Sequence, residues 1–285
     1  MSGFSAAWLA LREPADHAAR DPGLVAALGR ALSGRALAGR NLAVVDLGCG
    51  TGSNLRALGP HLPARQEWCL VDHDPALLDA AREELAAWAD AARPEGDALV
   101  LHRAGRRIAV RFRALDLAGG LTAALAPAPD LVTAAALFDL VSEDRIGAAA
   151  RAVAAAGAAF YAALNYDGRE AWQPPHPGDA AIHAAFLAHQ GRDKGLGPAA
   201  GPGAAAILAR AFGGLGYAVR LADSPWRLGP GGGLIGALAA GTARAAAETG
   251  LVPAREAASW RAARLEPGTR VLVGHTDVLA LPPAP

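Results

Sequence analysis

The stretch VVDLGCGTGSN, residues 44–54, constrains the fold more than any other part of the chain. A short apolar run, LAVVDL at 42–47, ends in three alternating glycines, as a buried parallel strand does when it turns into a helix. Residues 53–59 then open that helix. Glycines at such a turn let the main chain approach a ligand closely, because no Cβ stands in the way. The stretch therefore predicts an α/β protein with a ligand site at a strand-to-helix turn.

Alternating strands and helices follow this loop. The pattern predicts strands at 68–74, 98–103, 108–116, 130–135, 158–167, 217–222 and 270–280, and helices at 75–92, 143–156, 204–212 and 233–248. This order is typical of a doubly wound, mostly parallel sheet with its ligand site at the carboxyl ends of the strands. Residues 166–203, rich in proline and glycine, interrupt the alternation, and we interpret them as a lid.

Charge and hydropathy limit the possible partners. The formal net charge is zero, whereas a nucleic-acid-binding protein usually carries a basic face. The densest basic run, from Arg103 to Arg113, is interpreted as the solvated face of a hairpin. The alanine-rich residues 146–164 contain Arg151 and are divided by Gly157 into a helix and a strand, so we predict no membrane span. No basic n-region of a signal peptide is evident, and we expect a soluble, cytoplasmic protein.

Two features of the glycine loop argue against a dinucleotide. Gly48, Gly50 and Gly52 give G-x-G-x-G, whereas the dinucleotide fingerprint is G-x-G-x-x-G. Asp46, two residues ahead, would repel a pyrophosphate by about 1 kcal/mol or more. The same carboxylate suits a ligand with an ammonium or sulfonium group, and S-adenosylmethionine carries both.

Two further acidic residues close later strands. Asp72 ends the strand at 68–74, where an acid commonly accepts hydrogen bonds from ribose hydroxyls. Asp72 is also a possible helix cap, since Asp74-Pro75 follow. Asp116, in RALDLA, ends the third strand of the sheet and either receives an adenine amino group or serves as a turn residue.

Together, DLGCGTG at 46–52, the strand-end Asp72 and the Asp116-Leu117 pair resemble the first three motifs of class I S-adenosylmethionine-dependent methyltransferases. The resemblance covers roughly residues 40–165. It implies a seven-stranded sheet of order 3-2-1-4-5-7-6 with strand 7 antiparallel, and S-adenosylmethionine as the cofactor. The cofactor-binding residues that it implies are Asp46, Leu47, Gly48, Cys49, Gly50, Thr51, Gly52, Asp72, His73, Asp116 and Leu117.

We predict that residues 1–285 form one methyltransferase domain, since one hydrophobic core can still serve a chain of this length. Its predicted parts are an N-terminal helical cap (1–40), the cofactor-binding core (41–165), the lid or acceptor insertion (166–203) and the C-terminal part of the sheet (204–285).

The segment after the fourth strand, TAAALFDLVSED, is where methyltransferases place residues that face the acceptor. It lacks the N/D-P-P-Y motif of DNA adenine and glutamine methyltransferases. Asp139 is its candidate catalytic residue, or else a brace for the next helix. Methyl transfer requires neither a covalent nucleophile nor a metal, and we expect neither.

The N-terminal segment predicts a helix from about Pro14. Arg12, Asp16 and Arg20 are spaced four apart and therefore share one face. Two interpretations stay open: an exposed ladder of ion pairs, or a helix that covers the pocket and presents Arg12 to a substrate carboxylate.

Residues 183–198, HAAFLAHQGRDKGLGP, are the main candidate for the acceptor site. We expect a helix that ends near Gly191, with His189 as a candidate base. Lys194, the only lysine among 27 Lys plus Arg, is a second catalytic candidate, because a compact ammonium differs from the planar guanidinium that this chain uses elsewhere. The alternative is a solvated loop. Substrate-binding candidates beside Arg12 are Gln190, Asp193 and Trp226, although Trp226 also suits core packing.

The sequence therefore predicts transfer of a methyl group from S-adenosylmethionine to an oxygen or nitrogen of a small molecule. The alternatives are a methyltransferase for peptide or protein side chains, a nicotinamide-dependent oxidoreductase, and a non-catalytic cofactor-binding module. The acceptor's identity and the oligomeric state do not follow from the sequence.

Overall fold

The computed structural model describes residues 4–34, 40–193, 197–231 and 233–283. In that part of the chain the α-helices are α1 (Ala6–Ala19), α2 (Pro22–Gly34), α3 (Ser53–Leu58), α4 (Pro75–Trp88), α5 (Leu117–Ala124), α6 (Glu143–Ala155), α7 (Asp179–Gln190), α8 (Ala204–Gly214), α9 (Gly233–Glu248) and α10 (Ala254–Ala263). The strands are β1 (Leu42–Leu47), β2 (Arg65–Asp72), β3 (Ala91–Glu95), β4 (Ala98–Arg103), β5 (Arg106–Ala114), β6 (Leu131–Ala135), β7 (Ala159–Gln173), β8 (Ala218–Asp223), β9 (Trp226–Leu228) and β10 (Arg270–Leu281).

These strands form one sheet of order β3-β4-β5-β2-β1-β6-β7-β10-β8, and β9 pairs with β10 outside this path. The strands from β5 to β7 run parallel to one another, whereas β10 is antiparallel to both β7 and β8. From β5 to β8 this is the order 3-2-1-4-5-7-6, which confirms the predicted doubly wound fold. The seven strands that the resemblance implies are joined at one edge by β4, which the sequence predicted at 98–103, and by two strands that it did not predict, β3 and β9.

Strand register brings the ends of the central strands to one edge of the sheet. Leu47, the last residue of β1, pairs with Val71 on one side and Ala134 on the other. The apolar side chains of these strands are buried on both faces, as expected for parallel strands covered by helices. The loops that follow β1, β2 and β6 therefore meet at one place.

One predicted helix ends early. Helix α4 stops at Trp88, and Ala91–Glu95 form β3, antiparallel to β4. Asp90 accepts hydrogen bonds from the Ala104 N–H and from Arg103, which ties the chain to the hairpin turn. Main-chain pairing with β4 thus outweighs the helix propensity of the alanines, a tertiary effect that local propensity does not capture.

Two other boundaries differ from prediction. Helix α1 begins at Ala6, where Ser5 accepts the Trp8 N–H, and Pro14 lies inside the helix. Strand β7 continues to Gln173, because β10 pairs with it as far as Arg270. The first residues of the predicted lid are therefore sheet, and the interruption begins only after Gln173.

Three hydrophobic clusters hold the layers together. One packs α2, α3 and α4 on one face of the sheet, and a second packs α5, α6 and α8 on the other. The third, which includes Trp172, Trp226 and Trp260, lies between α7, α9, α10 and the extended ends of β7 and β10. The alanine-rich stretch around Gly157 is a helix followed by a strand, as predicted. In the described ranges, every helix is too short or too polar to cross a membrane.

Candidate functional site

The glycine loop after β1 adopts a conformation that strongly favours glycine. Gly48, Gly50 and Gly52 have φ values of 63°, 53° and 76°, in the left-handed region that costs other residues free energy. A Cβ on Gly50 would lie 2.8 Å from Cδ1 of Leu9, which is on α1. The N-terminal helix therefore packs directly against the loop, and side chains on the loop would collide with it.

Asp72 holds this loop in place. Its buried carboxylate accepts the Gly50 N–H at 2.9 Å through Oδ2 and the Asp74 N–H at 3.1 Å through Oδ1. His73 Nδ1 lies 3.3 Å from Oδ1. A carboxylate offers about four acceptor positions, so Asp72 retains capacity for further donors after binding two main-chain N–H groups.

Asp46 lies beneath the loop, fully buried. Its Oδ1 accepts a 2.7 Å hydrogen bond from Asn54 Nδ2, which also lies 3.0 Å from the Thr133 hydroxyl. Burial raises the pKa of Asp46 to about 7, although the Asn54 hydrogen bond and the charge of Arg20 oppose the rise. Asp46 is not part of the cavity wall that the described residues form, but Asn54 is. Asp46 thus helps to position the cavity wall by holding the side chain of Asn54.

A cavity of about 970 Å³ opens beside the loop. We call one part of its lining the loop wall, which consists of Gly48, Cys49, Gly50, Thr51, Asp72, His73, Asp116 and Leu117. The helix wall consists of Arg12, Asp16, Arg20, His189, Arg244 and Glu248. The end of β6 contributes Ala135, Ala136 and Leu137. Strand ends and three helices, α1, α7 and α9, therefore meet around one space.

Helix α1 is tied to the loop wall by two polar contacts. Arg56 Nη1 donates to the Thr51 carbonyl at 2.8 Å, and its Nε donates to Glu13 at 2.8 Å. His17 Nε2 lies 3.0 Å from Ser53 Oγ. Burial raises the pKa of Glu13, but Arg56 outweighs it and the net shift is downward. Burial lowers the pKa of His17. The ionised Glu13–Arg56 pair therefore connects α1 to the cavity.

The face of α1 that carries Arg12, Asp16 and Arg20 is buried, and all three residues line the cavity. Arg12 makes a bidentate pair with Asp16, with distances of 2.8 and 3.1 Å. Asp16 also accepts the Trp226 indole N–H at 3.0 Å. Of the two interpretations of this face, the exposed ladder is wrong, because β9 and the cavity cover it.

Helices α7 and α9 bring a histidine and a carboxylate together. His189 Nε2 lies 3.1 Å from Glu248 Oε2, and both residues belong to the helix wall. Arg192, just after α7, lies 3.4 Å from the Glu248 carbonyl. A carboxylate at this distance fixes the orientation of an imidazole ring.

A family model described as a methyltransferase domain matches residues 45–168, from β1 into β7. This part of the chain is therefore a methyltransferase domain of the S-adenosylmethionine-dependent kind. The match covers the loop wall and the strand end at Ala135, but not α1, α7 or α9. No curated protein matches the methyltransferase in sequence.

One solved structure shares the fold of this methyltransferase, and a second is similar to it with a lower score. A cyclopropane-fatty-acyl-phospholipid synthase-like protein from Lactobacillus casei ATCC 334 superposes with a TM-score of 0.53 at 16% identity, over 98% of this chain and 95% of that one. A methyltransferase from Thiobacillus denitrificans, in complex with S-adenosyl-L-homocysteine, gives a TM-score of 0.45 at 16% identity, over 97% and 98% of the two chains.

The predicted cofactor residues of the methyltransferase fall into two sets. Eight of them form the loop wall. Asp46, Leu47 and Gly52 lie outside the described cavity wall: Leu47 packs in the core, and a Cβ on Gly52 would meet Leu85 at 3.2 Å. These three residues support the loop from beneath.

The predicted acceptor residues of the methyltransferase are more scattered. Arg12, His189 and Asp193 line the cavity. Trp226 is buried behind the wall, beneath the Arg12 guanidinium at 5.1 Å, and Asp139 and Gln190 are outside the described lining. Lys194 lies outside the described residues.

Sequence reasoning missed several residues of this cavity. Glu248 is 59 positions away from His189, and no local pattern relates the two. Asn54 directly follows the glycine loop, and its position opening α3 was the available signal. Leu137, whose Cδ1 would lie 3.2 Å from a Cβ on Gly48, belongs to the segment TAAALFDLVSED, but only Asp139 was singled out there.

Proposed function

We propose that this enzyme transfers a methyl group from S-adenosylmethionine to an oxygen or nitrogen of a small molecule bound in the cavity. The observation that carries the proposal is the His189–Glu248 pair in the helix wall of the cavity that also contains the glycine loop. Oxygen and nitrogen acceptors lose a proton when they are methylated, and an imidazole held by a carboxylate is suited to accept it.

Small molecules are favoured because helices surround the cavity. Helices α1, α7 and α9 all contribute side chains to its wall, and its volume of about 970 Å³ is at the upper end of the range for small-molecule sites. Such a space accommodates a cofactor and a compact second ligand. A peptide or protein acceptor would require a groove open along the surface.

The loop wall fits the cofactor. The left-handed Gly48 and Gly50 both line the cavity and present main chain to it, and Asp72 retains acceptor capacity for ribose hydroxyls. We infer that the loop holds the methionine part, Asp72 the ribose, and Asp116 the adenine. When bound, the cofactor supplies an electrophilic methyl group on a sulfonium, so the protein has only to align the acceptor and remove its proton.

His189 is the proposed base. Its Nε2 is engaged with Glu248, so the proton from the acceptor goes to Nδ1. Glu248 holds the ring in position while Nδ1 takes the proton. The product leaves carrying the methyl group, and His189 then returns its proton to water.

The test combines binding with product analysis. Titration with S-adenosylmethionine should show binding, and a panel of small phenols, alcohols and amines should reveal an acceptor by release of S-adenosylhomocysteine. Mass spectrometry and NMR of the product would locate the methyl group. His189→Gln should then lower kcat by about 100-fold, the usual contribution of a general base. The matched control is His102→Gln on β4, which is exposed and should keep full activity.

Three results would contradict the proposal. Failure of the parent protein to bind S-adenosylmethionine would remove its basis. Methylation only at carbon would refute the oxygen or nitrogen acceptor, and turnover only with proteins would refute the small acceptor.

A further inference from the structure

Arg20 is a buried arginine with donors to spare. It follows α1 directly, is 8% exposed and lines the cavity. Its Nε and Nη1 atoms have no hydrogen-bond partner. Within the described ranges, no carboxylate lies within ion-pair distance of it, although Arg12, two turns earlier on the same face, has Asp16.

The neighbouring acids are committed elsewhere. Asp16 is shared between Arg12 and the Trp226 indole. Asp277 accepts from the Tyr161 hydroxyl, the Leu164 N–H and the Asp21 N–H. The neutral Tyr161 hydroxyl is a hydrogen-bond partner of Arg20 and donates its own proton to Asp277, so it supplies no negative charge and leaves Nε and Nη1 of Arg20 without a partner. Asp46 also interacts electrostatically with Arg20, but among the described residues no carboxylate is close enough to form an ion pair with it.

Such an arrangement is costly unless a ligand completes it. A buried polar group without a partner destabilises a folded protein, and a charged one does so more strongly. A guanidinium presents a planar fork of donors that matches a carboxylate. The cavity beside Arg20 is where a ligand would lie.

We propose that Arg20 binds the carboxylate of a ligand in this cavity. The inference rests on the proposed function and names a group that the site recognises. The carboxylate has two possible sources, the amino-acid end of the cofactor or an acidic acceptor. Arg20 would hold either one as a binding residue and takes no part in proton transfer.

The experiment compares ligands with and without the carboxylate. Calorimetric titration of the full chain uses S-adenosylhomocysteine and its decarboxylated analogue, which differ only in that group. Acetate and benzoate are titrated into the ligand-free and the S-adenosylhomocysteine-saturated protein by saturation-transfer NMR. The variants are Arg20→Gln, Arg20→Lys as a charge-retaining second variant, and Arg30→Gln on the exposed surface of α2 as the matched control.

If the cofactor is the source, Arg20→Gln should weaken S-adenosylhomocysteine binding by about tenfold or more, the range for a hydrogen bond to a charged group. Binding of the decarboxylated analogue should stay within about twofold. If an acceptor is the source, binding of both nucleosides should stay unchanged, and the acetate or benzoate signal should be lost. Arg20→Lys should fall between parent and Arg20→Gln, and Arg30→Gln should match the parent.

The proposal is overturned if Arg20→Gln changes neither the nucleoside affinities nor the acetate and benzoate signals. It is also overturned if Arg20→Gln weakens binding of S-adenosylhomocysteine and of its decarboxylated analogue equally, since that result indicates a packing role. Failure of the parent to bind either nucleoside would instead refute the proposed function. The acetate and benzoate titrations of the ligand-free protein would still test Arg20 in that case.

Discussion

The two walls of the cavity are built in different ways. The loop wall consists largely of main chain at the ends of neighbouring strands, fixed by hydrogen bonds such as Gly50 N–H to Asp72. The helix wall consists of long charged side chains from α1, α7 and α9. A main-chain wall is suited to one invariant ligand, whereas side chains on separate helices can be exchanged without disturbing the sheet. Recognition of cofactor and of acceptor should therefore respond to different substitutions.

Helix α1 is the element that contacts both walls. Leu9 packs against Gly50, and Glu13 pairs with Arg56 beside the loop. Arg12 and Asp16, on another face of the helix, belong to the helix wall. A change in α1 can thus affect either wall, depending on which face carries it.

The largest expected effect is on cofactor affinity, from a substitution that disrupts the loop wall. Asp72→Ala removes the acceptor for the Gly50 and Asp74 N–H groups and for the proposed ribose contact. We expect cofactor affinity to fall by about 1000-fold, as the loss of two or three hydrogen bonds to a carboxylate implies. Calorimetric titration with S-adenosylhomocysteine measures this.

The control for Asp72 is its neighbour Asp74. Asp74 caps α4 by accepting the Ala76 N–H at 2.9 Å, so Asp74→Ala should cost about 1 kcal/mol of stability. The Asp74→Ala variant should bind the cofactor as tightly as the parent protein does. If Asp72→Ala also bound the cofactor as tightly as the parent, the loop would keep its conformation without the Asp72 carboxylate.

The loop wall could be predicted from the sequence because its residues lie at the ends of strands, and substitutions there are expected to have large effects for the same reason. Gly48, Gly50, Asp72 and Asp116 are read from spacing, because each lies at the end of a strand and parallel strands end at one edge. The helix wall depends on how α1, α7 and α9 pack, which no local pattern encodes. Glu248 is the clear case, since it reaches His189 only through the packing of α7 on α9.

The outline of the sheet was predictable as well, but its margins were not. The order from β5 to β8 follows from the class of fold that the motifs indicate. Strand β3 does not, because its alanines favour a helix and only pairing with β4 makes them a strand. The extension of β7 likewise depends on β10, which lies about 100 residues later in the chain.

The next prediction concerns two buried groups whose pKa values are shifted in opposite directions. Burial raises the pKa of Asp46, below the loop, from 3.8 to about 7. Burial lowers the pKa of His275, between Tyr166 and Trp226, from 6.5 to about 4. Asp46 therefore destabilises the fold as pH rises from about 4 towards 7, whereas His275 destabilises it as pH falls from 6.5 towards 4.

Between pH 4.5 and 6.5 these two slopes oppose each other. Across that window the contribution of either residue to the free energy of unfolding changes by about 3 kcal/mol at most, since each pH unit corresponds to about 1.4 kcal/mol. His275→Gln should thus give a protein that loses stability relative to the parent as pH rises. Asp46→Asn should give one that gains stability relative to the parent as pH rises. Urea unfolding at several pH values measures both, and identical slopes in parent and variants would contradict the assignment.

A smaller effect is expected from the contact between α1 and the loop. Glu13→Gln removes the charge that pairs with Arg56, whose Nη1 also holds the Thr51 carbonyl. The pair is only partly buried, so we expect a loss of about 1 kcal/mol and a roughly fivefold weaker cofactor affinity. Thermal melting and calorimetry measure the two quantities.

Glu143→Gln is the matched control for this pair. Glu143 binds Arg210 at 2.6 Å, with both side chains about two-thirds exposed. Such surface pairs contribute little, so stability and cofactor affinity should both be unchanged. An equal loss in the two variants would mean that α1 is not coupled to the loop through Glu13.

The smallest effect on the cofactor is expected from Lys194→Arg. The residue follows Asp193 of the cavity lining, and an ammonium differs from a guanidinium in size and hydration while the charge is kept. If Lys194 meets the acceptor, cofactor affinity should stay within about twofold while acceptor turnover falls several-fold, because the larger planar group displaces the acceptor rather than the cofactor. Release of S-adenosylhomocysteine at saturating cofactor measures turnover, and Arg210→Lys on α8 is the reverse exchange at an exposed position. Equal turnover in parent and Lys194→Arg would show that this position requires only a positive charge, and would leave His189 and Glu248 to serve the acceptor without it.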